Sequence, residues 1–335
     1  MQEPLVSILT PFKNTEAFLT DCINSVINQT YTNWEMILVD DFSTDGSYPL
    51  VNEFAKKESR IKLLKNQQKG IIGALQLAFK QSEGTFITRM DSDDLMHQQK
   101  VEVLVNNLMK HGNNHVSIGL VRYFSEDDIG DGYRKYENWL NELTKTGNNF
   151  SEIYKECVIP SPCWMIHKDD LIACDAFNSN RYPEDYDLTF RFYEQDYTCI
   201  PCNQVLHHWR DYPTRSSRTH EHYALNYFLD IKMHYFLKLD YDTSRPLVVW
   251  GAGFKGKTIA KTIVKKKIPF HWICNNPKKI GKKIYKQKMR DFTFIEQLEN
   301  PQSIISVANQ EAQAYIKTYM QKLNKKHMVD YFFFC

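Results

Sequence analysis

The sequence predicts an α/β protein: a doubly wound, mostly parallel sheet followed by a second, smaller α/β domain. In residues 5–94, short apolar and β-branched runs alternate four times with segments of helical periodicity, the pattern of strand–helix units that assemble parallel sheets. The charge then divides the chain. Residues 1–244 hold 24 Lys+Arg against 35 Asp+Glu and residues 245–335 hold 18 against 5, so a balance of −11 becomes +13. At that division a new apolar run, 247–250, enters Gly251-Ala252-Gly253-Phe254-Lys255-Gly256, the start of another strand–turn–helix unit.

At 335 residues the chain exceeds the usual single domain and can bury a sizeable core. Eight scattered cysteines with no leader before them argue against a disulfide framework. Only Cys199-Ile200-Pro201-Cys202 has zinc or redox spacing, and without a second pair it reads as two strand-end thiols. No apolar run is long enough to cross a bilayer and no signal-peptide pattern opens the chain, so the cytoplasm is the expected compartment. The basic last quarter lacks the aromatics or reading motif of a nucleic-acid binder; it suits the other domain, an anionic membrane surface or an anionic ligand.

In order, residues 5–10 form a strand ended by Pro11, and Asn14-Thr15-Glu16 caps a helix over about 17–28 with Phe18, Leu19, Cys22, Ile23, Val26 and Ile27 at helical spacing. The strand 34–39 ends in Asp40-Asp41 and precedes a helix around 47–57. The strand 61–64 leads through Lys69-Gly70 into a helix over 71–82, and the strand 84–88 delivers Arg89-Met90-Asp91-Ser92-Asp93-Asp94. Pro11, Asp40-Asp41, Lys69 and 91–94 thus fall at strand carboxyl ends, where open parallel sheets bind ligands. Three carboxylates within four residues repel one another unless a cation or proton neutralises them. In an extended segment Asp91 and Asp93 share a side and can hold Mg²⁺ or Mn²⁺, leaving coordination places to water and phosphate; a solvated turn is the alternative.

The runs 6–12 and 39–46, Lys69-Gly70 and Met90-Asp91-Ser92-Asp93-Asp94 together resemble a family 2 glycosyltransferase of the GT-A fold, over roughly residues 4–220. The resemblance implies transfer of a sugar from a nucleotide-sugar, a UDP-sugar being favoured, with inversion at the anomeric carbon and Mn²⁺ or Mg²⁺ as cofactor. It implies that Thr10, Pro11 and Asp41, with Asp40 beside it, contact the base and ribose. It puts Lys69 in the donor site, Asp91 near ribose and cation, and Asp93 on the cation that bridges the diphosphate. A helix cap or Asx turn is the plain alternative for one of Asp40 and Asp41, and for Asp45. One departure is Ala74-Leu75-Gln76, where the family often has Ala-Arg-Asn.

Beyond 94 the expected elements are a helix at 97–110, a strand at 116–121, a solvated acidic turn at 126–132, a helix at 133–146 and a strand at 163–168. Tyr182-Pro183-Glu184-Asp185 resembles the family's Glu-Asp motif at a helix start, which implies Asp185 as the base of an inverting transfer with Glu184 beside it; simple helix capping is the alternative. After a strand at 206–210, Arg210, Arg215 and Arg218 are candidates to neutralise the leaving diphosphate, and which one does so stays open. His220 and His222 face different ways on a helix, although one could join the cation near Asp93. A helix over 221–240, with Tyr223, Tyr227, Phe228, Ile231, Tyr235 and Leu239 on one side, suits packing between domains; a membrane-surface helix is the alternative, against which stands the lack of a lysine-rich polar face, and 240–246 reads as linker. The divisions are therefore 1–220, 221–244 and 245–335.

The last segment resembles small Rossmann-like nucleotide-binding modules, with further strands at 270–273, 303–308 and 328–334. The acid expected after its second strand is replaced by Cys274-Asn275-Asn276. Gly251, Gly253 and Gly256 either hold a phosphate at the helix N-terminus or only permit tight packing. The whole reads as a metal-dependent glycosyltransferase of polysaccharide biosynthesis with a saccharide or lipid-linked acceptor, the latter implying a peripheral place on the inner membrane face; homo-oligomers are compatible with it. The alternatives are a sugar-phosphate nucleotidyltransferase, whose glycine- and arginine-rich loop is not visible after the first strand, and a non-catalytic nucleotide-binding scaffold. Asp91, Asp93 and Asp185 together count against the scaffold.

Overall fold

The computed structural model describes residues 3–126, 128–215 and 225–335. The chain divides into two compact units, one of residues 1–150 and 158–220 and the other of 151–157 and 221–335.

In the first unit the alternation becomes β1 (Val6–Phe12), α1 (Glu16–Ile27), β2 (Trp34–Asp40), α2 (Ser47–Lys57), β3 (Ile61–Lys65), α3 (Ile71–Lys80) and β4 (Phe86–Arg89). Every residue of β1, β2 and β4 is buried, as expected of strands covered on both faces. α1 buries Leu19, Cys22, Ile23 and Val26, one stripe at helical spacing. Later come β5 (Leu95–Met96), α4 (Lys100–His111), β6 (His115–Ile118), β7 (Leu120–Phe124), α5 (Asp131–Thr146), β8 (Trp164–His167), α6 (Lys168–Ala173), α7 (Glu184–Glu194), β9 (Thr198–Ile200) and β10 (Val205–Arg210). The main sheet has the order β3-β2-β1-β4-β8-β6-β9, in which only β8 runs against its neighbours. Leu9 of β1 pairs with Ile37 on one side and Arg89 on the other, so the order reverses at β1 and a crevice opens at the carboxyl ends of β1, β2 and β4.

The run 116–121, expected as one strand, is two. β6 stays in the main sheet while β7 joins β5 and β10 in a three-stranded sheet. The break is Gly119, where an added Cβ would lie 2.6 Å from Leu206 Cδ1; the close approach of β10 requires the missing side chain.

The second unit holds α8 (Leu225–Tyr235), β11 (Leu247–Trp250), α9 (Phe254–Lys265), β12 (His271–Cys274), β13 (Lys283–Ile284), β14 (Gln287–Asp291), β15 (Gln302–Ile305), α10 (Gln310–Lys322) and β16 (Tyr331–Phe333). Its sheet has the order β13-β14-β12-β11-β15-β16, parallel except for β13, which gives a Rossmann-like pattern. Residues 151–157 join this unit because the Tyr154 ring stacks on Phe334 at 5.2 Å and Glu152 pairs with Lys155 and Lys317. Residues 240–246, expected as linker, are fastened to the same unit: Asp242 N donates to Gln302 Oε1 at 3.1 Å and Arg245 pairs with Asp330 at 2.5 Å. α8 buries Leu229, Ile231, Met233 and Tyr235 and exposes Asp230 and His234; Tyr223 and the side chain of Tyr227 lie outside the described residues. No helix among the described residues is long and apolar enough to cross a membrane.

Candidate active site

The two adjacent acids at the end of β2 have separate tasks. Asp40 Oδ1 accepts from Ser43 N at 3.1 Å, an Asx turn that shapes the loop. Asp45 does the same for the next helix, accepting from Ser47 N and Glu16 N at 3.0 and 3.2 Å. Asp41 Oδ1 accepts from Asn66 Nδ2 and Gly70 N, each at 2.8 Å, while its Oδ2 lies 4.0 Å from Lys13 Nζ. The carboxylate thus ties β2 to the loop that carries Lys69, which is exposed. Gly70 has φ 117°, a backbone open to glycine, and the Tyr182 hydroxyl lies close beside it, so the segment before α7 reaches the same loop. Thr10 and Pro11 are buried in β1, and Thr10 Oγ1 has no hydrogen-bond partner among the described residues.

Beyond β4 the acidic loop is held by a buried polar chain. Asp94 is fully buried; its Oδ1 accepts from Arg210 N at 2.8 Å and its Oδ2 lies 2.9 Å from His207 Nε2. His207 Nδ1 lies 3.3 Å from Lys100 Nζ, which also donates to the Pro162 carbonyl. A lysine can only donate, so Nδ1 is the acceptor and Nε2 carries the proton given to Asp94. Burial first, and Lys100 next, push the His207 pKa well below its usual value, so the ring is neutral and this tautomer is stable. Lys100→Met removes the donor at the base of this chain and leaves two buried acceptors unpaired. The expected cost is about 2 kcal/mol, read as a lower urea midpoint; an unchanged midpoint would show that the chain does not support the loop.

Asp91 and Asp93 are half-buried. Asp91 Oδ1 accepts from Arg89 Nε and Nη2 at 3.0 and 2.9 Å, and Asp93 Oδ2 accepts from the Tyr212 hydroxyl at 2.8 Å. Burial, then Asp94 and Asp91, push the Asp93 carboxyl up to about 7. Among the described residues no group of three or more His, Cys, Asp or Glu side chains forms a metal cage. Asp91 Oδ2 and Asp93 Oδ1 nevertheless accept no hydrogen bond from the described residues, and two carboxylates suit a hard divalent cation that takes its other ligands from water and phosphate.

Arg210 and Arg215 do not share one position. Arg210 is a clamp on the acidic loop: Nε donates to the Asp93 carbonyl at 2.8 Å, Nη2 reaches Asp21 at 3.2 Å, and its guanidinium carbon sits 4.9 and 4.7 Å from the Phe18 and Phe124 ring centres. Arg215 lies beside the carboxylates, lowering the pKa of Asp93 and Asp94, with Tyr123 and Trp209 rings about it at 6.0 and 5.9 Å. Arg218, His220 and His222 lie outside the described residues.

α7 begins at Glu184 with an acidic first turn and no side-chain cap, so its N-terminus meets carboxylates directly. Glu184 Oε1 accepts from Arg89 Nη1 at 3.0 Å, and Asp185 Oδ1 accepts from Tyr186 N at 2.8 Å. Arg89 therefore bridges Asp91 to Glu184 and joins the acidic loop to the start of α7. Burial first, and Glu184 second, push the Asp185 carboxyl up to about 7, against the lowering effect of Arg89.

The sequence profile of Glycosyl transferase family 2 matches residues 7–174, half of the chain, including the ends of β1, β2 and β4. The chain belongs to that family. It is 37% identical over 219 residues to the putative glycosyltransferase EpsE of Bacillus subtilis, which covers 62% of this chain and 73% of EpsE. It is 42% identical over 112 residues, 33% of this chain and 44% of the other, to the Escherichia coli UDP-Glc:alpha-D-GlcNAc-diphosphoundecaprenol beta-1,3-glucosyltransferase WfgD. The chain spans less than half the length of several such curated relatives. Among solved structures, Staphylococcus aureus TarS 1-349 in complex with UDP superposes with a TM-score of 0.52 at 17% identity, over 77% of this chain and 70% of that one, which shows the GT-A fold.

Within this family 2 chain, sequence reasoning gave no role to Arg89, Lys100, Asp94, His207, Asn66 or Tyr212. One signal was available for Arg89: it closes a short apolar and β-branched run that reads as a buried strand, and a guanidinium buried there requires carboxylates.

Proposed function

We propose that the first unit transfers a glycosyl group, with inversion, from a nucleotide-sugar to a saccharide or lipid-linked acceptor in polysaccharide biosynthesis. The observation that carries this is the bridge of Arg89 between Asp91 and Glu184, which couples the acidic loop to the candidate base at the switch-point crevice. A UDP-sugar is favoured as donor, supported by the UDP in the TarS complex and the UDP-Glc in the name of WfgD.

In this reading Asp185 takes the proton of the acceptor hydroxyl as that oxygen bonds to the anomeric carbon, and the bond to the diphosphate breaks on the opposite face with its electron pair leaving on phosphate. A carboxyl poised at about 7 is ionised enough to accept and basic enough to be useful near neutral pH. Asp41, with Thr10 and Pro11, holds the base and ribose, and Arg215 offsets charge on the departing diphosphate. Asp91 and Asp93 would hold Mn²⁺ or Mg²⁺, which when bound supplies further charge stabilisation to the leaving group. A lipid-linked acceptor would set the enzyme peripherally on the inner face of the cytoplasmic membrane.

A thermal-shift panel of UDP-, GDP-, dTDP- and CMP-sugars with and without Mn²⁺ tests the donor site, because a bound ligand raises stability by mass action. The expected result is a Mn²⁺-dependent shift with UDP-sugars that disappears in Asp93→Asn. A Mn²⁺-dependent shift of the same size in that variant would remove Asp93 from the cation, and no shift with any sugar nucleotide would remove the transferase reading.

A further inference from the structure

The second unit has a cavity that sugar transfer in the first unit does not use. Its volume is about 460 Å³, and its wall includes Gly251, Ala252, Gly253, Asn275, Asn276 and Lys279. That size accommodates one nucleotide. β11 is the strand at which this sheet reverses, with β12 on one side and β15 on the other, so the cavity occupies the ligand position of an open parallel sheet.

The glycines of the turn divide by cause. At Gly251 φ is 126° and an added Cβ would lie 2.4 Å from Ser306 Oγ; at Gly256 it would lie 2.3 Å from the Gly251 carbonyl oxygen. Packing requires both, and at Gly251 the positive φ does so as well. Gly253 is different: its φ is −75°, open to any residue, and nothing lies within 4 Å of an added Cβ. It faces the open space of the cavity at the N-cap of α9, where amide N–H groups of the first turn have no helical partner.

The surrounding chemistry is that of an anion site. α9 has no acidic residue in its first turn and the cavity wall contains no carboxylate. Lys279 Nζ stands 2.7 Å from the Ala252 carbonyl, on the turn itself. Asn275 Oδ1 accepts from Trp250 Nε1 at 3.1 Å, which leaves its amide N–H groups as donors. Without a carboxylate this wall cannot accept from a ribose diol in the way a dinucleotide site does.

We propose that this cavity binds a nucleoside diphosphate, free or as its sugar ester, with the diphosphate on the turn 251–253 and the N-terminus of α9. The proposal stands whether or not the first unit transfers sugar. Hydrogen exchange on the full chain, with EDTA and millimolar UDP, GDP, ADP, UDP-glucose or NAD⁺, reads the two units separately. The expected result is slowed exchange across 251–257 with at least one nucleoside diphosphate. In Gly253→Leu, which fills the cavity at an unstrained position, and in Lys279→Glu, the concentration needed for that protection rises about tenfold or more, a change of 1.4 kcal/mol. Unchanged exchange of β11 and β15 in the ligand-free variants reports intact folding. No protection of 251–257 by any of these compounds, or protection that survives Gly253→Leu, overturns the proposal; protection by NAD⁺ alone overturns the ligand class.

Discussion

With Asp185 replaced by asparagine, kcat falls by about a thousandfold while donor affinity is unchanged. Asparagine has the same shape, and its amide oxygen can keep the 2.8 Å bond from Tyr186 N, so the variant loses the proton acceptor and little else. The pH dependence identifies the group. Its carboxyl is raised to about 7, chiefly by burial, and only the ionised form can take a proton, so the wild-type rate climbs with pH and levels off above about 7. The residual rate of the variant should show no such acid limb. A variant with full activity, or one that keeps the limb at the same pH, would transfer the role to another group.

The parts of this site legible in the sequence were those set by local chain chemistry. Apolar runs bounded by turn residues located β1, β2, β3 and β4, and a doubly wound order placed their carboxyl ends together. What stayed hidden was pairing at a distance. Lys100 opens a helix and reads as a surface charge until folding sets His207 against it, 107 residues away. Asp40 and Asp41 are chemically identical neighbours; only the positions of Ser43, Asn66 and Gly70 make one a turn-former and the other a tie between loops. The β13–β14 hairpin was missed because its two-residue turn is Tyr285-Lys286, at φ 52° and 63°, where such turns usually announce themselves with asparagine and glycine. Arg210, grouped with the phosphate ligands for its charge, also clamps the acidic loop through Asp21, the Asp93 carbonyl and two aromatic rings, contacts that no local pattern announces.

Arg89 is the residue whose loss should reach furthest. Its side chain and that of Glu184 are 7% and 8% exposed, and one guanidinium satisfies Asp91 with Nε and Nη2 while Nη1 holds Glu184. Arg89→Met leaves the Glu184 carboxylate buried beside Asp185 with its cation gone, which should cost about 3–5 kcal/mol of stability. The same loss takes away the charge that lowers the Asp185 pKa, so the acid limb of the rate should move to higher pH than the wild-type value of about 7. Arg89→Lys separates the two effects. It keeps the positive charge, so the limb should stay near its original place, but a single ammonium lacks the planar fork that spans two carboxylates and the stability loss should persist in part. Urea midpoints and rate–pH profiles of both variants decide the matter. If Arg89→Met unfolds at the wild-type midpoint with its limb unmoved, the bridge between the acidic loop and α7 has no energetic role and the two centres act independently.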